Sequence, residues 1–209
     1  MNIESMLQLG TDKPFVIPEI TDSLNLDLKI ISEMFRNRLL LERESFFVLD
    51  KNTKEVDSSI YLADYKLEAK ALLEKFKDKN VIVVKNLEAY NKEIENICNK
   101  LSSNTKYHTN LHMYLTPGYG ESFKTHKDDR HIYIKMLYGE KIIVCKESGV
   151  DKSYHLKKNN WMHIPFGLEH RAVNCGPAIS LSFGVVESDI AIFDFGITEF
   201  DLQQEFGDL

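Results

Sequence analysis

Between about residue 105 and residue 187 the chain is a succession of short β-rich runs, and this feature constrains the fold more than any other. The runs are 111–115, 131–137, 141–145, 161–165, 170–173 and 179–186. They are rich in Ile, Val, Leu, Met and aromatic residues, side chains that suit a pleated, half-buried surface. Between them lie Pro117-Gly118, Gly139-Glu140, Ser148-Gly149, Asn159-Asn160 and Cys175-Gly176-Pro177, residues that turn a chain. No helical periodicity separates the runs. Crossover helices, which parallel pairing needs, are therefore missing, and the pattern predicts an antiparallel sandwich or barrel.

The first 104 residues read as a helical lead-in with a few strands. Leu28, Ile31, Met34, Phe35 and Leu39 recur at helical spacing, with Asp22-Ser23 as the expected cap. Helices are also expected over 64–77, rich in Leu, Ala, Glu and Lys, and over 91–101, where Ile94, Ile97 and Leu101 share a face. Phe46-Phe47-Val48-Leu49 and Val81-Ile82-Val83-Val84 read as strands. Residues 188–209 form an acidic C-terminal arm with Phe193, Phe195, Phe200 and Phe206, expected to pack on the domain or on the second subunit of a homodimer. No Gly/Ser/Pro linker interrupts the chain near residue 105. The expectation is one domain over 1–209, with a lead-in (1–104), a barrel (105–187) and an arm (188–209).

Composition narrows the function classes. With 43% hydrophobic residues, 12 Phe and 9 Tyr among 209, the chain can bury a sizeable core. Lys+Arg number 26 against 32 Asp+Glu, a net charge of −6, which advertises neither nucleic-acid nor anionic-membrane binding. No apolar run approaches the ~18 residues of a membrane span. The start, Met1-Asn2-Ile3-Glu4-Ser5, lacks the basic and apolar regions of a secretory signal. Cys98, Cys145 and Cys175 are odd in number and lack Cys-x-x-Cys spacing, which suits a reducing, cytoplasmic setting.

The segment that carries chemistry is Thr125-His126-Lys127-Asp128-Asp129. In an extended strand, residues i and i+2 share a face, so His126 and Asp128 would present an imidazole and a carboxylate to one point. A second histidine from another strand would complete a 2-His-1-carboxylate triad, which leaves positions open on iron(II) for a co-substrate and O₂. On its own His-x-Asp is equally the mark of a solvated turn. Two histidines compete to complete the set. His170 follows the Pro165-Phe166-Gly167 turn, which would bring it to a barrel rim, and is preferred; His163, seven residues earlier, is the rival. His112 alternates in phase with Asn110 and Tyr114. Lys141 opens the strand after Tyr138-Gly139-Glu140; facing inward it would require an anion, and facing outward it is an ordinary turn lysine.

Taken jointly, these segments resemble the cupin-like JmjC-type hydroxylases, which are iron(II)- and 2-oxoglutarate-dependent oxygenases. The likeness runs from Val81 to Val186. It includes Asn110-Leu111-His112-Met113-Tyr114-Leu115-Thr116-Pro117, the His126-Lys127-Asp128 motif and the strand Ile132-Tyr133-Ile134-Lys135-Met136-Leu137. It continues through the Gly139-Glu140-Lys141 turn, Ile164-Pro165-Phe166-Gly167-Leu168-Glu169-His170 and Ile179-Ser180-Leu181-Ser182-Phe183-Gly184. The resemblance implies a mainly β fold with flanking helices, built on a double-stranded β-helix (jelly-roll) barrel. It implies His126, Asp128 and His170 as Fe(II) ligands, with Lys141, fifteen residues after His126, holding the far carboxylate of 2-oxoglutarate.

The implied activity is hydroxylation of a C–H bond with O₂, releasing succinate and CO₂. Tyr133, Tyr114 and Asn110 are candidate co-substrate residues, Asp129 a supporting carboxylate, and Trp161 and Arg171 candidates for the substrate entrance. The chain departs from the family's pattern at Asn159-Asn160-Trp161, where Gly-Asp is usual, and in the short 44-residue interval from His126 to His170. No long C-terminal dimerisation and winged-helix region follows the barrel. These departures favour a small molecule, an amino acid or a short peptide over a ribosomal protein as substrate. The alternative is a non-oxygenase cupin, either a metal-dependent isomerase or a small-molecule-binding module.

Overall fold

A computed structural model describes residues 12–18, 24, 26–34, 46–50, 52, 54–57, 62–63, 66–67, 69–103 and 107–187. Eight strands build the centre: β6 (Tyr107–Thr116), β7 (Tyr119–His126), β8 (His131–Tyr138), β9 (Lys141–Glu147), β10 (Val150–Leu156), β11 (Trp161–Ile164), β12 (His170–Cys175) and β13 (Ala178–Glu187). Successive strands cross between two facing antiparallel sheets at every step except the β9–β10 hairpin. One contains β11-β8-β13-β6 and the other β10-β9-β12-β7, so each sheet interleaves early and late strands. That connectivity is a double-stranded β-helix, the jelly-roll barrel.

Five further strands precede it: β1 (Phe15–Ile17), β2 (Phe46–Leu49), β3 (Leu62–Ala63), β4 (Lys66–Leu67) and β5 (Val81–Val84). β1 pairs with β11, while β5 pairs with β6 and β2 with β5, so the larger sheet has seven strands. The pairing of β5 with β6 carries this sheet across the change of sequence texture near residue 105.

The helices cover the outer face of the seven-stranded sheet. They are α1 (Leu28–Met34), α2 (Ala69–Lys77) and α3 (Lys92–Ser103). Asn91 Oδ1 caps α3 by accepting from the backbone N–H groups of Glu93 and Ile94 at 3.0 and 3.1 Å. Ile94, Ile97 and Leu101 point down from α3 and are buried with Leu111, Met113, Tyr133, Trp161, Leu181 and Phe183 of the sheet. A second cluster lies between the two sheets, where Ile134, Met136, Ile143, Cys145, Met162 and Ile164 meet. This cluster fills one end of the barrel interior, and the opposite side, bounded by β6, β7, β12 and β13, is left open.

Several expectations change. Asp27 caps α1, its Oδ1 accepting from Ile30 N–H at 2.8 Å; Asp22-Ser23, the expected cap, lie outside the described residues. Phe35 and Leu39 lie outside the described residues, as does the arm at 188–209. The helix expected over 64–77 begins at Ala69, because 62–63 and 66–67 pair as a small hairpin. Two barrel strands escaped the sequence reading, β7 and β10. Both are mostly polar; β10 lies at a sheet edge with only Leu156 fully buried, so little apolar alternation betrays it. No helix among the described residues is long and apolar enough to cross a membrane. All three cysteines are free, and burial pushes the thiols of Cys98 and Cys145 up to about 12, so neither is a nucleophile at neutral pH.

Candidate metal centre and its pocket

His126 ends β7 and His170 opens β12, and the two residues are direct partners across that ladder. Pairing alone therefore brings the imidazoles together, with ring centroids 4.4 Å apart. Asp128 comes in by a different route from the one the spacing suggests. It lies two residues beyond the end of β7, in a loop pinned where Gly167 N–H donates to the Asp128 carbonyl at 3.0 Å. The turn, and not a strand repeat, aims the carboxylate. Asp128 Oδ2 ends 3.4 Å from His170 Nε2 and 3.8 Å from His126 Nε2.

The three side chains offer one ligand atom each within 4.8 Å of one another. Their orientation suits a cation. His126 Nδ1 donates to the Lys124 carbonyl at 2.8 Å and His170 Nδ1 to the Leu168 carbonyl at 2.9 Å. With the protons held at Nδ1, both Nε2 lone pairs are turned toward Asp128, as ligand histidines require. Burial holds the His170 pKa below its ordinary value, so the ring is a neutral donor. Two imidazoles and a carboxylate from one side fit a divalent transition metal with further positions facing the pocket.

The pocket is a cavity of about 430 Å³. Strand alternation decides which side chains enter it. From β6 come Asn110, His112 and Tyr114; from β13, Ser180, Ser182 and Gly184; from β8, Ile132 and Ile134. Phe123, Ile143 and Ala172 supply apolar wall from the smaller sheet, and Lys141 lines the floor. Lys141 is 4% exposed. Its Nζ donates to Ser180 Oγ at 2.8 Å and sits 5.4 Å over the Tyr114 ring. Burial pushes its pKa down to about 7, with no carboxylate among the described residues offsetting it. Asn174, paired with Lys141 in register, is buried, and its Oδ1 has no hydrogen-bond partner among the described residues. Tyr114 is edge-on to Phe123 at 5.5 Å, and burial, with the Asp128 charge, pushes its phenol up.

The structure thus gathers His126, Asp128, His170, Lys141, Tyr114, Asn110 and Asp129 around one cavity and leaves Tyr133, His163, Trp161 and Arg171 outside it. Tyr133 is a correction: it alternates with Ile132 and Ile134, so its ring faces the helices and packs 4.9 Å from His163. His163 shares that outer face, fully buried beside Phe15, with Nε2 3.1 Å from His131 Nδ1. Trp161 does not line an entrance; it is fully buried, stacked at 5.4 Å on Phe183. Arg171 points away from the cavity and pairs with Glu121 and Asp151 at 3.8 and 3.6 Å. Asp129 bonds Arg130 at 2.7 Å and neither imidazole. Ser180, Ser182, Gly184, Phe47, Phe123 and Arg130 are pocket residues the sequence reading missed. For the β13 trio the signal was present, since alternation with the core residues Leu181 and Phe183 turns them inward.

No protein-family model matches the sequence, and no curated protein matches it. Solved structures do. The ribosomal oxygenase YcfD from Escherichia coli aligns over 100% of this chain and 58% of its own, with 13% identity and a TM-score of 0.60. YcfD in complex with cobalt and 2-oxoglutarate aligns over 100% and 58%, with 15% identity and a TM-score of 0.58. The complex with cobalt and succinic acid gives the same values. The chain spans less than three fifths of the length of these structures, 57–59%. Likeness at this identity concerns the fold, and it agrees with the strand order. The chain has a double-stranded β-helix (jelly-roll) barrel, the fold it shares with YcfD.

Proposed function

We propose that the protein is an iron(II)- and 2-oxoglutarate-dependent dioxygenase that hydroxylates a C–H bond of an amino acid, peptide or other small molecule. The observation that carries this reading is Lys141, a buried lysine with no carboxylate partner among the described residues, at the floor of the same cavity whose rim holds His126, Asp128 and His170. A metal triad alone fits many cupins. A triad with a lone buried cation at the far end fits a chelating ligand that carries a second carboxylate.

Iron(II) with 2-oxoglutarate and O₂ supplies the oxidation, in which the co-substrate becomes succinate and CO₂ and one oxygen atom enters the substrate C–H bond. The protein's share is binding, orientation and exclusion of water. His126 Nε2, His170 Nε2 and an Asp128 oxygen would hold the metal, the imidazoles fixed by their backbone carbonyl partners. Lys141 would pair with the far carboxylate, Ser180 and Tyr114 beside it, in a setting where a charge-assisted bond discriminates strongly for a dianion. Ile134, Ile143, Phe123 and Ala172 keep water from the space between. YcfD, bound to cobalt and 2-oxoglutarate on the same fold, supports the reading.

The test is anaerobic titration with Fe(II) followed by 2-oxoglutarate, and then succinate release in air. The expected result is 1:1 binding of each and succinate formation that Lys141→Ala abolishes. Metal binding with no affinity for 2-oxoglutarate would overturn the oxygenase reading in favour of a non-oxygenase cupin.

A further inference from the structure

Resting on the oxygenase reading, we propose that the substrate is a small carboxylate-bearing molecule whose carboxylate is seated by Arg130, assisted by Lys85, at the outer end of the pocket. The floor of the cavity is committed to the co-substrate and the rim to the metal. What remains for a substrate is the side formed by β6 and the Asp129-Arg130 turn.

Arg130 follows the metal-binding loop and lies across the pocket mouth. A Cβ added at Gly184 would stand 2.7 Å from Arg130 Cδ and 2.6 Å from Asn110 Oδ1, so both side chains lie against the bare backbone of β13. The absence of a side chain at Gly184 makes room for the guanidinium inside the barrel mouth. Arg130 Nε is taken by Asp129 Oδ1 at 2.7 Å, a contact made by a carboxylate that is 77% exposed. Its terminal nitrogens have no partner among the described residues, and they form the flat donor fork that a carboxylate fits.

Lys85 adds to the same side. It directly follows β5, and its ammonium stands 4.9 Å over the ring of Phe47, a pocket residue. Burial, with the charges of Lys85 and Arg130 acting against that of Asp128, holds His112 below its ordinary pKa, so both cations are felt at this corner of the pocket. The charge count agrees. Among the pocket-lining residues Asp128 and Asp129 balance Arg130 and Lys141, and a divalent metal balances a dianionic co-substrate. Lys85 does not line the cavity but stands beside it over Phe47, where its charge favours an anionic substrate.

The experiment uses the metal-loaded full chain and a panel of the free L-amino acids, their C-terminal amides and their deamino acids. Succinate formation above the substrate-free rate reads turnover, saturation-transfer NMR on zinc-loaded protein reads binding, and calorimetry reads 2-oxoglutarate affinity separately. At least one free acid is expected to stimulate turnover, with a KM tenfold or more below that of its amide. Arg130→Met should erase this preference and Arg130→Lys should retain part of it, while activity of the deamino acids tells amino acids from other carboxylates. Amides as good as acids, a preference that survives Arg130→Met, or no carboxylate bound or turned over while 2-oxoglutarate binds, would overturn the proposal. Absent 2-oxoglutarate binding would instead overturn the oxygenase reading, and the acid-over-amide preference in NMR would still judge the carboxylate seat.

Discussion

Lys141 Nζ donates to Ser180 Oγ at 2.8 Å, and that hydroxyl is its only hydrogen-bond partner among the described residues. A hydroxyl relieves little of the cost of burying an ammonium, so the group's pKa falls from 10.5 to about 7. The ligand-free floor therefore gives up its proton far more readily than a solvated lysine, and a bound carboxylate restores the charged form.

This makes co-substrate binding proton-linked. Above pH 7 the free protein carries a neutral Lys141, and 2-oxoglutarate should bind with uptake of close to one proton. Calorimetry at pH 8.5 in two buffers of different ionisation enthalpy measures it, and Lys141→Met should remove it. The sign for stability follows from the same shift. The unfolded chain holds the Lys141 proton up to about 10.5 and the folded chain only to about 7. The group's penalty on the folded state is thus full below pH 7 and fades as pH rises toward 10.5. The melting temperature of the ligand-free wild type, relative to Lys141→Met, should rise across that window; a flat difference counts against a buried, depressed lysine.

Asp128 is the next test, because its position depends on a loop and not on a ladder. Asp128→Ala removes the carboxylate between two imidazoles that β7–β12 pairing holds in place regardless. Metal affinity should fall on the order of 100-fold or more, beyond the 10–100-fold typical of losing a supporting partner. Circular dichroism should be unchanged, as Asp128 adds little to the core. Cobalt(II) absorption titration reads the affinity. An unchanged affinity would remove Asp128 from the ligand set.

Much of this architecture was legible in the sequence, and the rest was hidden for identifiable reasons. The barrel showed because β8, β9 and β11 carry apolar runs that end in Gly or Pro turns, and β13 carries one that follows Gly176-Pro177. β7 and β10 hid because their residues are mostly polar. His126 and His170 were found by motif, yet the reason they meet is a cross-strand pairing that no local pattern encodes. Tyr133 was misread because a strand buried on both faces, as β8 is, gives no alternation to say which face holds the cavity. Its neighbours Ile132 and Ile134 took that place. Arg130 stayed hidden because its placement depends on a missing side chain at Gly184, 54 residues away.

On the outer face of the larger sheet, His163 should govern part of the acid response. It is fully buried against Phe15, Tyr133 and His131, and burial, with the His131 charge beside it, pushes its pKa from 6.5 down to about 4. In the unfolded chain the ring takes a proton near 6.5. Its contribution to stability is thus complete above that pH and is lost as pH falls toward 4. His163→Phe keeps an aromatic ring in place and removes the titration, so its melting temperature should fall less than that of wild type between pH 6.5 and 4. Equal slopes would place the acid sensitivity elsewhere.

Gly139 sets the turn that delivers Lys141, and it does so at a position where no other residue fits. Its φ is +71°, and an added Cβ would lie 2.1 Å from the Pro177 carbonyl oxygen and 3.0 Å from Ala178 Cα. Both obstacles are backbone, so relief requires moving the start of β13, the strand that carries Ser180. Gly149, in the β9–β10 turn, has φ +82° with nothing within 4 Å of its added Cβ. Gly149→Ala should therefore cost only the left-handed penalty of roughly 1–2 kcal/mol. Gly139→Ala should exceed it by about 2 kcal/mol or more, the range of overpacking against an unyielding neighbour. The two variants also separate function from stability. His126 and His170 lie at the other end of the smaller sheet from Lys141, so Gly139→Ala should weaken 2-oxoglutarate binding more than metal binding. Gly149→Ala should shift neither. Equal losses of both affinities in Gly139→Ala would mean that the turn supports the barrel as a whole and does not specifically place Lys141.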